Sequence, residues 1–147
     1  TAWVQLITRC SPYLYSYVIY NVGNEAVARR LIRAILSEVI HTLASLRRVT
    51  NLTVLIFSIA YRHVLHYRRH IVDPLPSMQW PFASTSAAGD EHSANFFHTF
   101  YQFTPEVQQV LLLYYVCGVS VTELSQIVGQ SETLLRKVLY RAKLYLN

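Results

Sequence analysis

Between Asn24 and Leu46 an apolar side chain returns every four residues, at Val27, Leu31, Ile35, Val39 and Leu43, with Ile32, Leu36 and Ile40 widening the row. That spacing puts the row on one side of a long α-helix. The flanking segments obey the same rule. Trp3 to Tyr20 is apolar and aromatic, and Pro12 inside it predicts a helix that kinks or restarts near Ser11. Thr50 or Asn51 can cap a third helix whose inward side is Leu52, Leu55, Ile56, Ile59 and Val64, running out in RHVLHYRRH.

After His70 the pattern stops. Pro74, Pro76 and Pro81 with Ser77, Ser84, Ser86 and Gly89 mark a linker over 71–90. The aromatic segment NFFHTFYQF reads as a docking helix ahead of a second module. Thr104-Pro105-Glu106 then supplies a cap, a proline for the first helical position and an acid for the positive helix end, so a helix should run to about Cys117 and stop at Gly118. Ser120 and Glu123 form a capping box for a two-turn helix ended by Gly129, and Ser131 caps a last helix with Leu135, Val138, Leu139, Ala142 and Leu146 inward. The expected fold is all-α, with two small helical domains, 1–70 and 91–147, on either side of the linker.

A short helix, a glycine turn and a longer helix, with small Ser125 four residues before the glycine, is the arrangement of a helix-turn-helix; a plain helical hairpin shares the spacing. Its outward residues are Gln130, Ser131, Thr133, Arg136, Lys137, Tyr140 and Arg141, donors and cations of the kind a DNA reader carries.

Charge supports a polyanion partner. Residues 1–70 hold nine arginines against Glu25 and Glu38, a net +7, whereas 71–105 has no Lys or Arg and a net of −3. A solvated arginine surface is the plainer reading. With 52% apolar and 14% charged residues, some apolar surface is left for a partner. The longest apolar run, Leu52 to Tyr61, is far short of the roughly 20 residues a membrane span needs, and no leader pattern opens the sequence. Cys10 and Cys117, far apart and without metal-ligand spacing, read as buried thiols of a cytoplasmic protein. His63, His66 and His70 share one helix side, but the arginines around them oppose a metal cation, and DNA backbone contact suits them better. No nucleophile elbow, phosphate loop or acid–base pair stands out, so neither enzyme activity nor a cofactor or metal is expected.

Over nearly its whole length the chain resembles the extracytoplasmic-function sigma factors of bacterial RNA polymerase. FTPEVQQVLLLYYVCGVSVTELSQIVGQSETLLRKVLYRAK looks like their upstream-promoter-binding domain, and the first 70 residues look like the domain that melts the downstream element. The resemblance implies promoter DNA and core RNA polymerase as partners, allows an inhibitory anti-sigma protein, and makes the linker a segment threaded through the polymerase channel. It places GNEAVARRLIRAIL at the polymerase-binding helix, with Arg29, Arg30 and Arg33 on its polar face, and LIFSIAYRHVLHYRRH against the promoter. Arg62, His66, Tyr67, Arg68 and Arg69 would then contact DNA, Tyr61 and Tyr67 would stack on unpaired bases, and the stretch around 45–51 with Arg47 and Arg48 would lie where the family holds a flipped base. Family members usually carry acids and a glutamine where this chain has its three arginines. Such a charge change repels a site built for carboxylates. A DNA-binding regulator without polymerase, or a protein-interaction adaptor on the same fold, are the rival expectations.

Overall fold

In the computed structural model of the chain the described residues are 2–45, 51–70, 100 and 102–146, and they form helices with no strand among them. The linker at 71–90, most of the aromatic segment before Thr104, and Arg47 and Arg48 lie outside the described residues.

Helix α1 spans Ala2–Val22 with Pro12 inside it, so it does not restart at Ser11. Pro12 is exposed, and water can there serve the carbonyl that its missing N–H leaves alone. Gly23, at φ 66°, makes the turn, a left-handed conformation that costs glycine nothing. Asn24 opens α2 (Glu25–Ser45) by accepting from the N–H groups of Ala26 at 2.9 Å and Val27 at 3.3 Å. Ala28, Ile35 and Val39 are buried on α2, while Ile40 is 61% exposed. Ile40 sits beyond the edge of the packed stripe, which is narrower than the sequence suggested.

Helix α3 (Leu52–Arg69) is capped by Asn51, whose side chain accepts from the Val54 N–H at 3.2 Å. It buries Leu52, Ile56, Phe57, Ile59, Ala60, Val64 and Leu65, and it packs against α1, α2 and the helices that follow. This central position explains why the first half of its sequence, Leu52 to Tyr61, is apolar on most sides. Tyr17 of α1 meets Phe57 edge to face, centroids 6.3 Å apart.

Helix α4 (Pro105–Leu111) starts at the Thr104 cap and continues as a π-helical turn, Leu112–Val116, before Gly118 at φ 69°. Helix α5 (Val121–Val128) has both halves of the Ser120–Glu123 capping box and ends at Gly129, φ 73°. Helix α6 (Glu132–Leu146) is the last described element, with the Leu134 N–H held by Ser131 Oγ at 3.2 Å.

One continuous apolar core joins the first three helices to the last three: Val18, Ile35, Phe57 and Ala60 belong to the same cluster as Leu113, Leu124, Leu135 and Ala142. Polar ties reinforce the contact at both ends of α3. At its start, Asn51 Nδ2 donates to Glu123 Oε2 at 2.9 Å, linking the α3 cap to the α5 capping box. At its end, Arg68 donates to Asn21 Oδ1 (3.0 Å) and Gln108 Oε1 (2.8 Å), and Arg69 to Glu106 Oε1 (3.1 Å). Gln109 Nε2 also donates to Asn21 Oδ1, at 2.5 Å, so Asn21 joins α1, α3 and α4.

Two polar atoms at this junction, Tyr17 Oη and Gln109 Oε1, are buried without a hydrogen-bond partner. Burial pushes the Tyr17 phenol well above its ordinary pKa, foremost by desolvation. An unpaired buried hydroxyl opposes folding by its desolvation. Tyr17→Phe is therefore expected to leave stability unchanged or raise it by up to about 1 kcal/mol in urea unfolding; a loss of that size would mean the hydroxyl has a partner.

Candidate nucleic-acid interface

Helix α6 is sorted by packing. Leu135, Leu139 and Ala142 are buried, so the opposite side faces out. Gln130, Ser131, Thr133, Arg136, Lys137, Tyr140 and Arg141 are all exposed, with Tyr140 at 65%. The turn that presents them is held from within. Ser125 Oγ donates to the Gln130 carbonyl at 2.6 Å, and Thr122 Oγ1 donates to Glu132 Oε1 at 2.8 Å, fastening α5 to the start of α6. Arg136 lies 3.8 Å from Glu132, one turn back. Exposed pairs of this kind are worth only a few tenths of a kcal/mol, about 0.3–0.5, so the guanidinium can exchange its carboxylate for a phosphate. Leu134 and Leu144 are exposed beside these polar groups.

The end of α3 is arranged differently. Arg62 pairs with Glu38 of α2, and His63 Nε2 lies 3.4 Å from the other oxygen of that carboxylate. His66 is exposed and its ring lies 4.2 Å from that of His70, whose Nδ1 is 2.7 Å from the His66 carbonyl. The three histidines thus divide between Glu38 and each other, and among the described residues no group of three or more His, Cys, Asp or Glu comes together to hold a metal. Tyr61 and Tyr67 are half-buried against the core; burial, then the nearby Glu106 carboxylate, raises the Tyr61 phenol. Arg68 and Arg69 face α1 and α4 through the ties described above. Of the α3 residues proposed for DNA, Arg62, His66 and Arg69 are exposed, Arg62 and Arg69 each beside a carboxylate, while Tyr61, Tyr67 and Arg68 are half-buried.

Arg29, Arg30 and Arg33 are exposed on α2, and Arg29 pairs with Glu25 at 2.6 Å. The two cysteines, remote in sequence, interact electrostatically. Desolvation first, and Cys10 second, push the Cys117 thiol up to about 12, which leaves almost no thiolate at neutral pH.

Sequence reasoning missed the joint. The sequence reading passes over Asn21, Gln108 and Gln109 and takes Glu106 only as the acid of a helix start, although the adjacent glutamines in an otherwise apolar helix are a usable signal of buried polar pairing. The joint has a pH signature. The Glu106 carboxyl is held below the ordinary value of 4.5 by its own backbone N–H and then by Arg69. Asn51, and then Ser120, do the same for Glu123. A carboxyl depressed in the folded state stabilises fully above its unfolded value and loses that contribution as pH falls through the folded one. Thermal midpoints should fall below about pH 4.5, and Glu106→Gln with Glu123→Gln should flatten that fall; an unchanged profile would exclude both pairs as its source.

No protein-family model matches the chain, and no curated protein matches it in sequence. Among solved structures it is similar to the sigma factor RpoE, seen in a co-crystal structure with the anti-sigma factor NepR from Bartonella quintana. The TM-score is 0.72 at 15% identity, over 99% of this chain and 94% of that one. The chain therefore has an all-α, sigma-factor-like fold. No described helix is long and apolar enough to cross a membrane.

Proposed function

We propose that this chain is a sigma-like transcription-initiation protein, which binds promoter DNA through α6 and directs RNA polymerase to it. The observation that carries the reading is the exposed face of α6, where Gln130, Ser131, Thr133, Arg136, Lys137 and Arg141 stand behind a glycine turn on a helix whose other side is buried. Side-chain donors near the start of such a helix reach base edges, and the cations along it neutralise phosphates. The likeness in fold to a sigma factor over nearly the whole chain supports it. The protein acts here by binding, without making or breaking a bond.

Two stages of contact follow. Helix α6 can meet duplex DNA as the structure stands. Arg69 can exchange its exposed partner Glu106 for phosphate as Arg136 can, whereas half-buried Arg68 must first give up Gln108 and Asn21, so contact of Arg68 with DNA requires α4 to move from α3. A second reading, a DNA-binding regulator that does not dock on polymerase in the usual way, is favoured by the exposed Arg29, Arg30 and Arg33. A salt-titrated duplex-binding assay tests the first element: affinity should fall steeply and linearly on a log–log plot. Capture of core polymerase by the purified chain separates the two readings.

A further inference from the structure

Cys10 and Cys117 are the chain's two cysteines, and the fold brings them to one place. Cys10 lies on α1, and Cys117 follows the π-helical turn Leu112–Val116, which packs against α1. The Cys117 thiol is turned toward α1, its Sγ donating to the Tyr13 carbonyl at 3.7 Å. Tyr13 is three residues past Cys10, about 4.5 Å along the helix axis. Cα atoms joined by a disulfide lie about 4.4–6.8 Å apart, so the two positions meet on the scale of that bond.

The π-helical turn sets the placement. The Cys117 N–H donates to the Leu112 carbonyl, five residues back, at 3.1 Å. Such a turn takes one residue more than an α-helical one. Without it the same thiol would be displaced round the helix by one residue's rotation, about 100°. Neither thiol is sealed: both are half-buried, and their neighbours Ser11, Pro12, Tyr13 and Gly118 are exposed, so a small oxidant has access. The two differ in reactivity. Desolvation raises the Cys10 thiol, opposed by a hydrogen bond with the Thr53 side chain of α3, whereas Cys117 is pushed up to about 12. Cys10 is therefore the thiol that ionises first.

We propose that hydrogen peroxide joins Cys10 and Cys117 in an intramolecular disulfide, a redox clasp between α1 and the π-helical turn. The Cys10 thiolate attacks one peroxide oxygen, and the hydroxide that leaves takes up the proton Cys10 lost, giving water and a sulfenic acid. The Cys117 sulfur then displaces the sulfenic hydroxyl, which departs as a second water with the Cys117 proton. Two thiols are oxidised to one disulfide, and one peroxide is reduced to two waters. Helix α4 runs directly into the π-helical turn, so the bond also holds α4 where Gln108 pairs with Arg68 of α3. The inference goes beyond DNA binding by α6 and stands without it.

The test treats the whole reduced chain with hydrogen peroxide and digests it without reductant. Mass spectrometry should find the Cys10 and Cys117 peptides joined within one chain, two hydrogens lighter than their sum. The oxidised chain should unfold about 10 °C higher than the reduced one, and amides of α4 should exchange at least about tenfold more slowly. Dithiothreitol should reverse both changes. Cys10→Ser and Cys117→Ser should each abolish the cross-link and the shift of midpoint with peroxide. Chains joined to one another, oxidation of the separate cysteines to sulfinic acid without a cross-link, a cross-link that leaves the midpoint unmoved, or an equal response in the serine variants would each overturn the proposal.

Discussion

Arg136→Glu with Lys137→Glu should lower affinity for duplex DNA by about a hundredfold at 0.1 M salt and reduce the log–log salt slope by about two. Both side chains are exposed on α6, Arg136 at 68%, and neither contributes to the core. The substitution removes two sites of counterion release and adds two charges that repel phosphate, so the loss exceeds that of neutral replacements. The Arg136–Glu132 contact gives up little stability, being exposed and 3.8 Å long. Helicity and unfolding midpoint should therefore stay near those of the parent chain, and the binding loss can be read as a loss of contact. Arg68→Ala supplies the contrast. Its guanidinium holds Asn21 and Gln108, so that variant should lose stability before any change in DNA affinity can be interpreted. If the double reversal binds duplex DNA as the parent does, α6 is not the reading helix.

What could be read from sequence follows from what local patterns encode. Caps and glycines act within a few residues: the Thr104 and Asn51 caps, the Ser120–Glu123 box and the turn at Gly129 are all found where their residue types predict. The exposed face of α6 was legible for a similar reason, since helical period separates inward from outward residues. Period does not say which buried face meets which. Asn51 was readable as a cap, but its amide nitrogen reaches Glu123, 72 positions away, and nothing local marks that pairing. Arg68 and Arg69 look like phosphate contacts in sequence because a basic helix end carries the same letters whether it faces solvent or Gln108 and Glu106. Ile40 is a different case, an apolar residue in rhythm with the buried stripe that the width of the packed face leaves outside. The π-helical turn at Leu112–Val116 had no signal either; a helix of the same composition without it would have read identically.

Leu124→Ala should cost about 2–5 kcal/mol. Leu124 is fully buried on α5, the helix that packs against α3, and deleting its branched end leaves a cavity that the surrounding helices fill only in part. The informative quantity is where the loss is felt. Because the core is continuous from Val18 and Phe57 to Leu124 and Leu135, amides in α1–α3 and in α4–α6 that exchange by global opening should lose protection together, by about 30-fold to several thousandfold. Leu144→Ala, at an exposed position of α6, should change protection little in either group. If the loss in Leu124→Ala is confined to α4–α6, the two helix groups open independently, and release of Arg68 costs only the joint itself. If protection falls in both, any ligand that draws α4 away from α3 must supply the free energy of the shared core as well, and α6 can hold duplex DNA without committing α3 to it.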